Sequence, residues 1–323
     1  MVRRIIAICL LVVAVSIAII TPVLAFTPVG TSLLGQFAPA APTPTPTLVP
    51  FTPTPPPSPT PILTPRGQPP AIDASEAILL DADTGRILVD IHGETPRPMA
   101  STTKIMTALI AIQAADLNQV ITIHQDAIDE VLLNGGSSAR LVVGDQIALK
   151  DLLYGLLLPS GDDAAVAIAD AISGSPSNFT HTMNLLAYRL RLFQTHYMDP
   201  DGLSSTNHYS TAYDLARLAQ YAMSVPLFAQ IVKTQSYTLP ASGDHHSYIW
   251  KTTNLLLAGY TGSTGIKTGT TGPAGYCLVF SATRAGHHLI GALLNAHSEE
   301  QRFHDARTLL TWGFALPLLP PTP

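Results

Sequence analysis

The chain has 323 residues, of which 46% are hydrophobic, and its formal net charge is −5. This length allows one large domain with tails or two modest domains, and the apolar content is sufficient for a substantial core. Because the chain has no basic excess, nucleic acid is not expected as a partner. The only two cysteines in the sequence are Cys9 and Cys277. This number favours neither a disulfide framework nor a cysteine metal site.

The N-terminal segment 1–26 has the pattern of an export signal. Arg3 and Arg4 precede an apolar run over 5–20, and small residues follow near Ala25. The segment is also close to the length of about 20 apolar residues that a membrane span requires, so a cleaved signal and an uncleaved anchor both remain open. The positive start places the rest of the chain outside the cytoplasm in either case. We therefore expect a protein of the cell envelope, membrane-anchored or secreted.

A segment rich in proline and threonine follows, and we assign it to a linker over 27–71. Its densest part is the Pro-Thr repeat at 42–47. Such a composition cannot bury a core and favours extended polyproline II, with a rise of about 3.1 Å per residue. The linker is either a stalk that holds a domain away from a membrane or a spacer with no required length.

Globular character begins near residue 72. The stretches 77–81 and 86–91 flank Asp83-Thr84-Gly85, which is typical of a β-hairpin with a turn glycine. Helices are then predicted from Ser101 to about Ala115 and over 149–158, 162–172, 179–192 and 211–223. The pattern changes to strands at 276–283 and 288–295, and a last helix is predicted over 299–314. Terminal strands around a helical middle indicate an α+β domain over 72–318, with a helical second lobe and a tail at 319–323.

Ser101 and Lys104 form an S-x-x-K motif at the start of a predicted helix. The N–H of Ser101 is free of helix pairing there and can face a developing oxyanion. Lys104 lies one turn on along the same face, within reach of the Ser101 hydroxyl. A lysine acts as a base near neutral pH when burial and a second cation lower its pKa, and Lys267 is the obvious second cation. Taken alone, the motif is more often a capped surface helix.

Two further motifs supply the other parts of an acyl-transfer site. Ser160, in the turn Pro159-Ser160-Gly161, can pass a proton to a leaving amine. The segment Lys267-Thr268-Gly269-Thr270 lies just before a predicted edge strand, to which a substrate peptide can add as a further strand. Thr268 and Thr270 offer hydroxyls to a terminal carboxylate, Lys267 offers charge, and the Thr270 N–H is a candidate second oxyanion donor. Without the other motifs, a glycine-rich hairpin with no ligand is the simpler interpretation.

In this order, the motifs resemble those of the D-alanyl-D-alanine carboxypeptidases among the low-molecular-weight penicillin-binding proteins. The resemblance covers roughly 73–315, and the matching segments are 100–107, 152–161, 163–165, 183–184, 201–203, 209–212, 265–269 and 274–277. It implies a β-lactamase/transpeptidase-like fold, in which helices flank an antiparallel sheet. It also implies peptidoglycan stem peptides as substrate, covalent inhibition by β-lactams, and no cofactor or metal. The catalytic residues implied are Ser101, Lys104 and Ser160, and the substrate-binding residues are Asp162, Lys267, Thr268, Gly269 and Thr270.

The chain departs from the family pattern at two positions. Asp162 stands where the family has asparagine, whose amide donates hydrogen bonds that an ionised carboxylate can only accept. A carboxylate near Lys104 favours the charged lysine and opposes its use as a base, although an aspartate between two lysines could form a balanced network. We expect Asp162→Asn to preserve or increase acylation. The second position is an arginine that members carry near the carboxylate site, with which we align His288.

We expect a serine-type D-Ala-D-Ala carboxypeptidase that trims stem peptides through an acyl-enzyme on Ser101. A D,D-endopeptidase would use the same residues on cross-links. A class A β-lactamase is less favoured because it needs a glutamate for deacylation, and no glutamate lies between Glu130 and Glu299. A non-catalytic envelope protein that binds stem peptides is the remaining alternative, and Asp162 is its motivation.

Overall fold

The computed structural model describes residues 62–204 and 206–319. The predicted signal or anchor and most of the predicted linker lie outside these ranges, as does the segment 320–323. Within the described ranges, no helix has both the length and the apolar character that crossing a bilayer would need.

Helices and strands follow one another in the order expected of an α+β domain. The strands are β1 (Ile62–Leu63), β2 (Glu76–Asp81), β3 (Ile87–Ile91), β4 (Val120–Thr122), β5 (Gln146–Ala148), β6 (Ser236–Leu239), β7 (Tyr248–Lys251), β8 (Ser263–Thr271), β9 (Gly275–Arg284), β10 (His287–Ala296) and β11 (Leu318–Leu319). The helices are α1 (Lys104–Ala114), α2 (Gln125–Asn134), α3 (Leu149–Leu157), α4 (Asp162–Ser173), α5 (Pro176–Arg189), α6 (Ala212–Met223), α7 (Pro226–Val232), α8 (Leu256–Gly259) and α9 (Glu299–Phe314). A 3₁₀ turn, Ala100–Thr103, precedes α1.

A five-stranded antiparallel sheet with the order β3-β2-β10-β9-β8 forms the centre of the domain. Successive side chains of a strand point to opposite faces, so the buried strand β2 serves two cores. Ile78 and Leu80 face the core shared with the helical lobe, whereas Leu79 packs with Phe303 and Leu310 of α9 on the other face. Each such side chain contributes about 1.5–3 kcal/mol by burial. The sheet therefore lies between the helical lobe and α9.

Helix α1 is the central helix of the lobe. Its first eight residues, 104–111, are all buried, so it is apolar on nearly every side, as expected of a helix enclosed by others. It packs against α3, α4 and α6. The residues that begin α1 are thereby fixed against both the helical lobe and the sheet.

The predicted hairpin, the helices and the two C-terminal strands are present in the structure, and α9 has the predicted bounds. Three two-stranded pairs were not predicted: β1–β11, β4–β5 and β6–β7. Their strands have only two to four residues, too few for an alternating pattern to stand out. Helices α2, α7 and α8 were not predicted either.

Two boundaries differ from the prediction. Lys267-Thr268-Gly269-Thr270 lies inside a strand of its own, β8, which is the edge strand, whereas the strand predicted after it, 276–283, is β9 and lies next to the edge. Strand β8 was not predicted because threonine and glycine mask the apolar alternation there. Ile62–Leu63, within the segment assigned to the linker, pairs with Leu318–Leu319, and Leu63 is buried. The folded part of the chain therefore extends into the predicted linker segment and into the start of the predicted tail.

Candidate active site

Ser101 lies on the 3₁₀ turn that leads into α1 and is 8% exposed. Thr102 stabilises the turn, because its hydroxyl donates to the Met99 carbonyl at 2.7 Å. Ala100, immediately before the serine, has a positive φ of 48°, which non-glycine residues adopt rarely. The backbone is therefore bent sharply just before Ser101, and its side chain faces the interface between the lobe and the sheet.

Lys104 is fully buried, and its ammonium has three acceptors. Nζ donates to Ser101 Oγ at 2.9 Å, to the Asp201 carbonyl at 2.7 Å and to Asp162 Oδ1. A lysine ammonium has three protons, so this set satisfies it completely. The predicted proximity of Lys104 to the Ser101 hydroxyl is present in the structure.

Asp162 begins α4 and is fully buried as well. Oδ1 accepts from Lys104, and Oδ2 accepts the backbone N–H of Ser137 at 2.6 Å. The N–H of Asp162 in turn donates to the Ser137 carbonyl at 2.8 Å. Gly136 makes room for this arrangement, since a Cβ at that position would lie 2.2 Å from Asp162 Oδ2. These contacts favour the role of a counter-ion for Lys104 over the predicted contact with substrate.

Ser160 lies in the turn between α3 and α4 with a φ of 70°. Its hydroxyl is buried and has no hydrogen-bond partner among the described residues. A buried hydroxyl without a partner is costly and usually has a functional reason. Ser160 is thus available to exchange a proton with a bound ligand.

Lys267 of β8 is 1% exposed, and its Nζ donates to the Thr268 carbonyl at 2.9 Å. Burial lowers the pKa of the Lys267 ammonium well below its ordinary value, and the charge of Lys104 lowers it further, while Asp162 opposes the shift. The site therefore contains two buried lysines, the Asp162 carboxylate bonded to the first of them, and the buried carboxylate of Asp201.

Gly269 brings the edge strand against the nucleophile. A Cβ on this residue would lie 2.9 Å from the Met99 carbonyl oxygen and 3.1 Å from the Ser101 nitrogen. Such distances are too short for a side chain, so only glycine permits the approach. Beside it, Thr268 Oγ1 shares a 2.6 Å hydrogen bond with Thr253 Oγ1.

Thr270 marks the point where α9 reaches the site. Its hydroxyl donates to the Gly269 carbonyl at 2.8 Å and accepts from Arg302 Nη1 at 2.8 Å. Arg302 Nη2 bonds Glu299 at 2.9 Å, while Nε is buried without a partner in the described ranges. A buried cation therefore lies at the end of β8.

Comparisons with known proteins identify the family. The family model of the D-alanyl-D-alanine carboxypeptidases matches residues 64–298. The chain belongs to this family. The D-alanyl-D-alanine carboxypeptidase of Streptomyces sp. (strain K15) is 40% identical over 259 residues, which cover 76% of this chain and 89% of that protein. DacC of Escherichia coli (strain K12) is 35% identical over 257 residues, covering 76% of this chain and 62% of that protein.

Solved structures agree on the fold. The crystal structure of the Streptomyces K15 DD-transpeptidase has a TM-score of 0.74 and 38% identity, and covers 77% of this chain and 100% of that one. Penicillin binding protein 6B from Escherichia coli has a TM-score of 0.71 and 34% identity, and covers 77% of this chain and 80% of that one. The chain is a serine-type D-Ala-D-Ala carboxypeptidase with the fold of the penicillin-binding proteins.

The arginine of this carboxypeptidase was assigned to the wrong position. His288 is exposed on β10 and bonds Asp83 at 2.7 Å. It pairs with Thr283, whereas Thr270 pairs with Tyr276 at the opposite end of β9, so His288 is remote from the site. Arg302 occupies the expected place. The sequence carried a signal that Arg302 is buried, because its spacing places it on the same face of α9 as Ala306, Leu309 and Leu310.

Proposed function

We propose that this carboxypeptidase releases the terminal D-alanine of stem peptides through an ester on Ser101, with Lys104, Ser160 and the β8 residues in the roles given below. The observation that carries the proposal is the 2.9 Å hydrogen bond between Lys104 Nζ and Ser101 Oγ in a buried site beside an edge strand. This is the nucleophile–base distance that acyl transfer requires.

In the acylation step, Ser101 Oγ attacks the carbonyl carbon between the two D-alanines while its proton passes to Lys104. Lys104 must be a free amine at that moment. The hydrogen bond from Lys104 to the Asp162 carboxylate must therefore be given up in this step. The backbone N–H groups of Ser101 and Thr270 stabilise the oxyanion.

Collapse of the tetrahedral intermediate breaks the C–N bond, and the departing amine needs a proton. Ser160 supplies it from its hydroxyl, which is buried without a partner among the described residues, and the proton that Lys104 took from Ser101 then restores the Ser160 hydroxyl. Water then attacks the ester, releases the shortened peptide and restores Ser101. An endopeptidase reaction would follow the same steps on a cross-linked peptide, and neither it nor a β-lactamase reaction is favoured over the carboxypeptidase.

The free carboxylate of the substrate binds where β8 meets α9. The Thr268 and Thr270 hydroxyls donate to it by turning from Thr253 and from the Gly269 carbonyl. Arg302, held 2.8 Å from Thr270 Oγ1, supplies the positive charge together with Lys267. Gly269 leaves the strand edge open for backbone pairing with the peptide. Recognition of a terminal carboxylate gives an exopeptidase, because a longer peptide would place an uncharged amide against buried cations.

We further propose that the segment 1–26 directs export and that the Pro/Thr-rich segment spaces the catalytic domain from a membrane when 1–26 is retained. The charge pattern of 1–26 and the composition of the linker support this. N-terminal sequencing of the mature protein distinguishes a cleaved signal from an anchor.

The test uses the full chain in detergent with a labelled penicillin and with a peptide ending in D-Ala–D-Ala. Stable labelling and release of D-alanine, both abolished by Ser101→Ala, are expected. Rapid turnover of penicillin would indicate a β-lactamase, and transfer of the peptide to an added amine would indicate a transpeptidase. A wild-type protein that neither labels nor releases D-alanine would refute the proposal.

A further inference from the structure

His208 is buried beneath the nucleophile turn. The residue is only 1% exposed. It belongs to the segment between α5 and α6, and its ring contacts Tyr197 edge-on, with centroids 5.8 Å apart. Nε2 faces Thr103, and Nδ1 faces the backbone N–H of Met198 and, at 3.6 Å, Oδ2 of Asp199.

Asp199 lies beyond hydrogen-bond distance of Nδ1, and the partners within hydrogen-bond distance favour one assignment of protons. Nδ1 lies 3.1 Å from the backbone N–H of Met198, which can only donate, so Nδ1 accepts and carries no proton. The ring is therefore neutral, with its proton on Nε2, which lies 2.7 Å from Thr103 Oγ1. The single hydroxyl proton of Thr103 is directed to the Ala100 carbonyl at 2.8 Å, so Thr103 accepts from His208.

These bonds form a chain from Met198 through His208 and Thr103 to the carbonyl of Ala100. Ala100 is the residue of positive φ that immediately precedes Ser101. Gly202 packs against the same carbonyl oxygen. A Cβ at position 202 would lie 2.1 Å from that oxygen, so the close approach requires glycine there.

The 198–208 segment also holds α1 at two further points. The Asp201 carbonyl accepts from Lys104 at 2.7 Å, and the Pro200 carbonyl accepts from Thr107 at 2.5 Å. Asp199 in turn accepts the N–H groups of Asp201 and Gly202 and so fixes the segment itself. The bent turn before Ser101 is thus held from one side by a single, internally bonded segment.

We propose that His208 is a positioning residue, whose neutral imidazole holds the turn at Ala100 through Thr103 and so keeps the Ser101 hydroxyl opposite Lys104. The inference rests on the proposed function, because it concerns the geometry of the serine–lysine pair. His208 does not touch the reacting atoms. Its removal should therefore slow acylation and leave substrate affinity unchanged.

The test compares three variants. His208→Phe keeps a ring and removes both bonds, Thr103→Val keeps the shape and removes the hydroxyl, and His208→Gln retains one acceptor and one donor. The first two should each lower the rate constant of penicillin acylation and the kcat for D-alanine release on the order of 10- to 100-fold, with KM unchanged. The double variant should lose no more than the worse single variant, and His208→Gln should recover most of the rate.

Several results would overturn the inference. One is a folded His208→Phe variant whose acylation rate lies within about twofold of wild type. Another is a double variant in which the two losses of rate multiply, because effects at independent sites add in free energy. If His208→Phe does not fold, nitrogen NMR of wild-type His208 remains decisive, because a proton on Nδ1 contradicts the relay. An inactive wild-type protein would instead count against the proposed function.

Discussion

Asp162→Asn should move stability and acylation in opposite directions. The carboxylate accepts one hydrogen bond from the Lys104 ammonium and one from the Ser137 N–H. An asparagine has only one oxygen, so either Lys104 or Ser137 then faces an amide donor. Losing a hydrogen bond to a charged group costs about 1.5–3 kcal/mol, and breaking a buried ion pair about 3–5 kcal/mol. We expect the free energy of unfolding to fall by about 2–4 kcal/mol.

Acylation should be preserved or increased by the same substitution. Without a carboxylate beside it, the Lys104 ammonium loses its counter-charge, and the free amine that accepts the Ser101 proton becomes easier to reach. The free amine can accept a hydrogen bond from the new amide whereas the ammonium cannot, so the loss of stability falls on the ammonium form of the site.

Asp163→Asn is the matched control. Asp163 is equally buried in the next position, but its oxygens accept from the Ser138 hydroxyl and from backbone N–H groups that include Ala139, away from Ser101. Urea unfolding should show that both variants lose stability, and stopped-flow acylation by a labelled penicillin should show that Asp163→Asn keeps the wild-type rate. A loss of more than tenfold in the rate of folded Asp162→Asn, about 1.4 kcal/mol, would refute the reasoning and mean that the chain depends on the carboxylate.

Three further predictions address other parts of the site. Gly269→Ala should lower the acylation rate on the order of 100-fold, because the added methyl displaces β8 from Ser101; an unchanged rate would contradict the close approach. Arg302→Gln should raise KM for the D-Ala–D-Ala peptide on the order of 10- to 100-fold by weakening the carboxylate site, while a peptide with an amidated C-terminus should respond little. Burial lowers the pKa of His208 below 6.5, so the unfolded chain binds a proton that the folded chain excludes. As pH falls below about 6.5, wild type should therefore lose unfolding free energy relative to His208→Gln in urea titrations; parallel curves would contradict this.

The proximity of Ser101 and Lys104 could be predicted because the two residues are close in sequence. Ser101 and Lys104 are one helical turn apart, so their spacing alone brings Oγ and Nζ together. The bounds of α9 were predictable because Ser298 caps it, with its hydroxyl accepting from the Gln301 N–H, and two glutamates begin it. These features require no knowledge of the rest of the fold.

Other parts of the site depend on distant segments and could not be predicted in the same way. Arg302 reaches Thr270 only because α9 packs back across the sheet, and His208 reaches Thr103 only because its segment passes under the nucleophile turn. Neither residue is near a motif in sequence. The arginine of the family pattern was aligned with His288 because a strand register cannot be read from one sequence. In the structure His288 lies on β10 and pairs with Thr283, at the end of β9 that is remote from the site.

The departure at position 162 has a physical consequence that the local motif could not reveal. In the folded chain, the Asp162 carboxylate receives a backbone N–H from a loop where Gly136 is required, so this oxygen is satisfied independently of any lysine. The remaining oxygen, Oδ1, accepts a hydrogen bond from Lys104 within the buried site. The carboxylate therefore stabilises the resting enzyme by pairing with the base. Acylation must break the pairing between Asp162 and Lys104. If the departure at position 162 only removed contacts with substrate, Lys104 would be unaffected. The two cases differ in measurable terms, since overcoming the pairing limits kcat and a lost contact raises KM.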